Sequence, residues 1–151
     1  MKYAFFVVLL VLVTFGVQAE VKTVPGPLKA WYADTMDMFT GLVTDLDKAT
    51  TAKATASAFQ KATAAIGAKK LAPRYQTIKK DYPDFFRQAD SGNTTWVPPA
   101  DWITLSQSYA KAMANYGTSM QKAGTFMSDP AVAQALQDFG QAMQDMQGSD
   151  D

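Results

Sequence analysis

The chain of 151 residues contains no cysteine and no histidine. Without thiols there is no disulfide, so a domain of this sequence is held by packing alone. Without imidazole or thiolate there is no Ser-His-Asp or Cys-His nucleophile system, no ordinary zinc site and no His or Cys ligation of haem. Glutamate is nearly missing as well: Glu20 is the sole one, and the remaining carboxylates are aspartates scattered without an evident pair for acid–base work. The expectation is a protein that is not an enzyme, with no catalytic residues and no cofactor. A basic excess is also lacking, since 14 Lys plus Arg stand against 14 Asp plus Glu. A general nucleic-acid binder needs such an excess to displace counterions from phosphates, so nucleic acid is not an expected partner.

What is present begins with a leader. Lys2 supplies one cation, Tyr3 to Val17 carry no charge, and Val17-Gln18-Ala19 leads out before Glu20. This is the pattern of a secretory signal peptide, and its apolar run of about fifteen residues is short of the ~20 that cross a bilayer. Export to the periplasm or the extracellular space is expected, with membrane attachment confined to the case of an uncleaved leader. Loss of residues 1–19 removes Lys2 and leaves thirteen cations against fourteen anions. The expected division is 1–19 signal peptide, 20–27 N-terminal extension, 28–147 helical domain and 148–151 disordered acidic tail.

The large apolar residues recur at alternating spacings of three and four, the period of a helix, in four stretches. The first follows Val24-Pro25-Gly26-Pro27 and runs Leu28, Trp31, Thr35, Phe39, Leu42, Leu46 to a stop near Lys48, after which Thr50 or Thr51 can cap the next helix. The second is rich in alanine around Phe59 and Ile66, and Gly67 and Pro73 shift its phase before Leu71, Tyr75 and Ile78, so one bent helix is predicted with its kink near 68–72. From Lys48 to Arg87 it holds nine basic residues against Asp81 and Asp84, a face suited to acidic neighbouring helices. Residues 83–99 lose the helical period and read as a long crossover. The third helix follows Pro99 with Trp102, Leu105, Tyr109, Ala112, Tyr116, Ser119 or Met120, Ala123 and Met127, and the fourth follows Asp129-Pro130 with Val132, Leu136, Phe139, Met143 and Met146. The fold class is therefore all-α: an up-and-down four-helix bundle with a kinked second helix and a long crossover loop between helices 2 and 3.

Three sets of residues are candidates for function. Phe85, Phe86, Trp96 and Trp102 lie in or beside the crossover, as anchors over the bundle end or as a surface for a protein or apolar ligand. Met113, Met120, Met127 and Met143 offer soft thioether sulfur for Cu(I), against the commoner use of Met as core filling. Trp31, Tyr32, Phe39, Phe59, Tyr75, Tyr109, Tyr116 and Phe139 face many alanines, an arrangement that is either interdigitated packing or the wall of an apolar pocket. Asn93-Thr94-Thr95 matches the acceptor for N-glycosylation in a eukaryotic secretory pathway. The leading functional expectation is a non-enzymatic binding or interaction protein of unknown partner. Oligomeric state is open.

Met38-Phe39-Thr40-Gly41-Leu42-Val43-Thr44-Asp45-Leu46-Asp47-Lys48-Ala49, the Ala/Thr/Lys-rich second helix and Tyr82-Pro83-Asp84 resemble the periplasmic four-helix-bundle cytochromes of the haem-b type and their haemless relatives. The resemblance covers the first two helices and implies a bundle. In that family a Met on the first helix and a His near the chain end ligate the iron. Met36 or Met38 matches the first ligand and no residue matches the second, so the resemblance implies the fold without haem or electron transfer.

Overall fold

The structure, a computed structural model, describes residues 23–90 and 96–147. The signal peptide, residues 20–22 of the extension, Asn93 and the 148–151 tail lie outside the described residues. The described residues form six α-helices: α1 Gly26–Lys48, α2 Ala52–Ala68, α3 Leu71–Asp81, α4 Pro83–Asp90, α5 Ala100–Ala123 and α6 Pro130–Gln147, with a 3-10 turn Gly124–Phe126 between the last two. The protein is all-helical over these residues.

Proline and hydroxyl chemistry sets the helix starts. The Pro25 carbonyl accepts hydrogen bonds from the Leu28 and Lys29 amides at 3.0 and 3.1 Å, while Pro27 occupies the first turn, where its missing N–H has no intrahelical partner to lose. At the start of α2, Thr51 is extended and its Oγ1 accepts from the Ala54 amide at 3.1 Å. Asp129 does the same for α6, its Oδ1 accepting from the Ala131 amide at 2.9 Å with Pro130 in the first helical position.

The second stretch is two helices rather than one bent helix. Pro73 has no N–H to offer the carbonyl of Lys69, four residues earlier, and the chain stops at that point. Lys70 takes the left-handed conformation, φ 51°, and Pro73 falls in the first turn of α3. The stranded Lys69 carbonyl accepts instead from the Arg74 guanidinium at 3.2 Å. The same device recurs at Pro83. It ends α3 through the constraint on Tyr82 and also opens α4, so residues 83–90, Phe85 and Phe86 among them, are helical where a crossover loop over 83–99 was expected.

Packing fixes the arrangement. α1 lies against α2 in the antiparallel sense, with Asp45 to Lys61 at 3.0 Å near one end and Asp34 to Lys69 at 2.8 Å near the other. It lies against α5 in the parallel sense. Asp101 accepts from the Val24 amide and pairs with Lys29 at their N-terminal ends, and Asp47 accepts from Ser119 and Lys122, both at 2.9 Å, at the C-terminal ends. α6 packs on the alanine-rich α2 and reaches α3. The helix after the crossover therefore sits beside α1, where a simple up-and-down order would set it beside α2, because α3 and α4 carry the chain across the end. α5 and α6, joined by the short 3-10 turn, bring their backbones together hardly at all.

The core runs through Leu28, Trp31, Phe39 and Leu42 of α1, Ala58, Phe59 and Ile66 of α2, Leu71 and Ile78 of α3, Phe85 of α4, and Val132, Phe139 and Met146 of α6. Thr35 and Thr55, buried among them, donate their hydroxyls back to the carbonyls of Trp31 and Thr51, which satisfies them without a partner from another helix. Relief of the left-handed backbone by Lys70→Gly is expected to raise stability by about 1 kcal/mol. Phe39→Ala, which empties a fully buried site, is expected to cost about 3–5 kcal/mol. Urea denaturation of both variants checks the pair, and a destabilised Lys70→Gly contradicts the strain at that position.

Candidate functional site

The aromatic residues singled out in the sequence meet at the α3–α4 end of the molecule. Trp31 and Tyr32 of α1, Trp102 of α5, Phe85 and Phe86 of α4 and Tyr75 of α3 form a closed circuit of six rings. Their successive centroid distances are 5.2, 5.8, 5.2, 5.7, 5.7 and 4.7 Å. Five of these contacts are edge to face, the orientation in which a positive ring edge meets a negative ring face. The Trp31 indole Nε1 also donates to the Leu71 carbonyl at 2.8 Å, tying α1 to the first residue of α3. Trp96 lies edge-on against Phe85 at 6.3 Å, and its buried Nε1 has no hydrogen-bond partner.

Phe85, Phe86, Trp96 and Trp102 are therefore gathered in one cluster, with Phe85 buried and the other three half-buried. They clamp α4 and the start of α5 onto α1. A second set of rings continues along the interior: Tyr32 meets Tyr109, Tyr109 meets Phe39, and Phe39, Tyr116 and Phe139 touch one another, with Phe59 against Phe139. The rings fill the interior at those levels. Burial pushes the phenols of Tyr109 and Tyr116 upward from their ordinary value.

The apolar side chains turned outward at this end were not among the sequence candidates. Tyr82, Val97 and Ile103 are the large apolar residues left exposed among the described residues. Ile103 carries a signal that could have been read: it follows Trp102 directly and so falls off the Trp102, Leu105, Tyr109 stripe. Val97, between Trp96 and two prolines, carries none. A cleft of about 350 Å³ opens between the start of α1 and α3, lined by Pro27, Lys70, Pro73, Arg74, Thr77, Ile78 and Asp81, the residue before Tyr82. Its basic rim is partly neutralised, because Asp34 binds Lys69 at 2.8 Å and Arg74 at 2.7 Å. Hydrogen bonds from Lys69 and then Arg74 hold the Asp34 carboxyl below its ordinary value of 3.8.

The candidate methionines are shared between two helices and the turn that joins them. Met113 and Met120 lie on α5, two turns or about 10 Å of helix apart. Met127, read in the sequence as a continuation of their stripe, lies past the end of that helix and past the 3-10 turn; Met143 is on α6. All four are half-buried and packed against the core, the use to which flexible thioethers are commonly put. Of the two methionines that match the haem ligand of the similar cytochromes, Met38 is buried in the core and Met36 half-buried, and the chain has no His to serve as the second axial ligand. Among the described residues, no group of three or more carboxylates is placed to hold a metal ion, and no helix is long and apolar enough to cross a membrane.

Two outcomes check the site. Phe85→Ala is expected to cost about 3–5 kcal/mol, whereas Trp96→Phe, which removes an unsatisfied buried donor and keeps a ring, is expected to be neutral or stabilising. Thermal melts distinguish them, and a Trp96→Phe loss as large as that of Phe85→Ala contradicts the assignment. Because the Asp34 pKa is lowered, its ion pairs add stability that is present above the ordinary value of 3.8 and is lost as pH falls through the lowered one. The advantage of wild type over Asp34→Asn at neutral pH is thus expected to shrink as the pH is taken progressively below 3.8; an advantage independent of pH contradicts it. No protein-family model matches the chain, and no curated protein or solved structure was found to match it.

Proposed function

We propose that the protein is an exported, non-enzymatic binding protein in which α1, α2, α5 and α6 form a four-helix bundle and the α3–α4 end recognises a protein partner. The observation that carries this reading is where apolar surface is left open. Tyr82, Val97 at 79% exposure and Ile103 at 46% belong to segments that meet at this one end. Large apolar side chains held outward on a rigid base are the usual raw material of a recognition surface. The aromatic circuit is that base: Phe85, Phe86, Trp96 and Trp102 support the surface from beneath instead of making the contacts. In the neighbouring cleft Arg74 is already held by Asp34 and Asp81 offsets Lys70, so the expected partner presents an apolar segment and not a strongly charged one. The lack of His and Cys supports a role without chemistry, and the leader supports one outside the cytoplasm.

Capture of envelope proteins on immobilised protein tests the reading. Val97→Asp with Ile103→Asp is expected to lower retention of the captured partner about tenfold or more, since each buries a carboxylate in an apolar contact, with no change in melting temperature. Equal retention by the double variant contradicts the assignment of this end.

A further inference from the structure

The cleft between the start of α1 and α3 is polarised along its length. Its floor is Ile78, which is buried, and its sides include Pro27 and Pro73, rigid rings without an N–H. Thr77 donates its hydroxyl back to the Pro73 carbonyl at 3.0 Å, which leaves the oxygen as an acceptor only. The ionic residues of the lining divide into two kinds. Arg74 is taken up by Asp34 at 2.7 Å and by the Lys69 carbonyl at 3.2 Å. Lys70 and Asp81 are exposed, and among the described residues neither side chain makes an ion pair or a hydrogen bond.

These two charges stand at opposite ends of α3. Lys70 precedes its first turn and Asp81 is its last residue, so the 11 residues of the helix set them about 16 Å apart along the axis. The helix dipole runs the same way, positive at the Lys70 end and negative at the Asp81 end. Lys79 and Lys80 share the last turn with Asp81 but do not line the cleft. The charges of Lys70 and Asp81 therefore cancel in sum and add to the dipole in direction. Lys70 also sits where stability alone favours another residue. At φ 51° glycine carries no Cβ penalty, whereas a lysine gives up stability to place its ammonium at this edge.

We propose that this cleft binds a short linear peptide with both ends free, its carboxylate at Lys70 and its α-ammonium at Asp81. The spacing sets the length. An extended chain of about four residues covers up to ~14 Å, and the flexible lysine stem spans the remainder. Between the two ends the peptide lies over Ile78 and the proline rings, which suit small apolar side chains, and the Thr77 oxygen can accept from one of its amides. A cavity of about 350 Å³ is at the small end of the ~300–1,000 Å³ common for ligand sites. The peptide has no net charge, as the cleft has none once Arg74 is paired. This site does not rest on the surface of Val97 and Ile103, neither of which lines it.

Titration of the isotope-labelled chain with tetra-alanine, followed by amide chemical shifts, tests the proposal beside the same peptide N-acetylated and C-amidated. The expected result is saturable shifts confined to α3 and the start of α1, with a Kd of about 0.1–1 mM. Blocking both ends is expected to weaken binding about fivefold or more, the scale of two exposed ion pairs. Lys70→Gly is expected to bind the free peptide about threefold more weakly, and the blocked one unchanged, while its urea midpoint rises. Lys53→Gln, a cation of α2 away from the cleft, is expected to bind as wild type does. Absence of shifts up to about 10 mM peptide overturns the proposal, as do shifts centred on other helices or unaltered binding by Lys70→Gly. Equal affinity for the blocked peptide also overturns it, and assigns the cleft to an apolar ligand.

Discussion

Trp31 is the side chain on which the α3–α4 end of the molecule depends. Its ring touches Tyr32 and Tyr75, and its indole N–H holds the Leu71 carbonyl, so one residue of α1 holds the start of α3 and, through Tyr32, meets Trp102 of α5. The chain breaks just before Leu71, since Pro73 denies the Lys69 carbonyl its partner. A break of this kind frees α3 to swing. Trp31 from one side and Asp34, through Lys69 and Arg74, from the other fix its direction. In a domain without disulfides, that restraint allows α3 and α4 to cross the end and deliver α5 to the parallel side of α1.

The distribution of charge follows from the same arrangement. Aspartates of α1 face two ways: Asp34 and Asp45 meet cations of α2 and α3, while Asp47 meets Lys122 of α5. The basic stretch 48–87 is thus answered in part by its acidic neighbour, as its composition led one to expect. The Asp45–Lys61 pair is solvent-exposed and contributes little to stability, whereas the pairs of Asp34 are partly buried. Their larger effect is on where charge is left over: α6 keeps exposed Asp138 and Asp145 with no Lys or Arg, while the α3–α4 end leaves Tyr82, Val97 and Ile103 exposed.

Helix boundaries were legible wherever a single residue type decides them. Thr51 and Asp129 cap because a short side-chain oxygen reaches a free amide, and Pro27, Pro99 and Pro130 lie where a missing N–H is harmless. The α4 helix was illegible for the same reason that made the others clear: Pro83 reads equally as the end of one helix and the first residue of another. Aromatic anchoring by Phe85 and Trp96 was foreseen as one of two alternatives, and the ring contacts realise it. The parallel pairing of α1 with α5 was beyond sequence periodicity, which gives each helix an inner face without naming its neighbours. So was the exposure of Val97, which depends on what the surrounding chain leaves uncovered.

Residue-resolved hydrogen exchange of the native protein tests most directly whether the aromatic circuit holds α3 and α4 to α1 and α5. The expected result is that amides of α3 and α4 open with nearly the free energy of those in α1, and that Trp31→Leu lowers protection in α3 and α4 far more than in α2. Rapid exchange of α3 and α4 in the unaltered protein, or an even loss of protection across all helices in the variant, would contradict the dependence on Trp31.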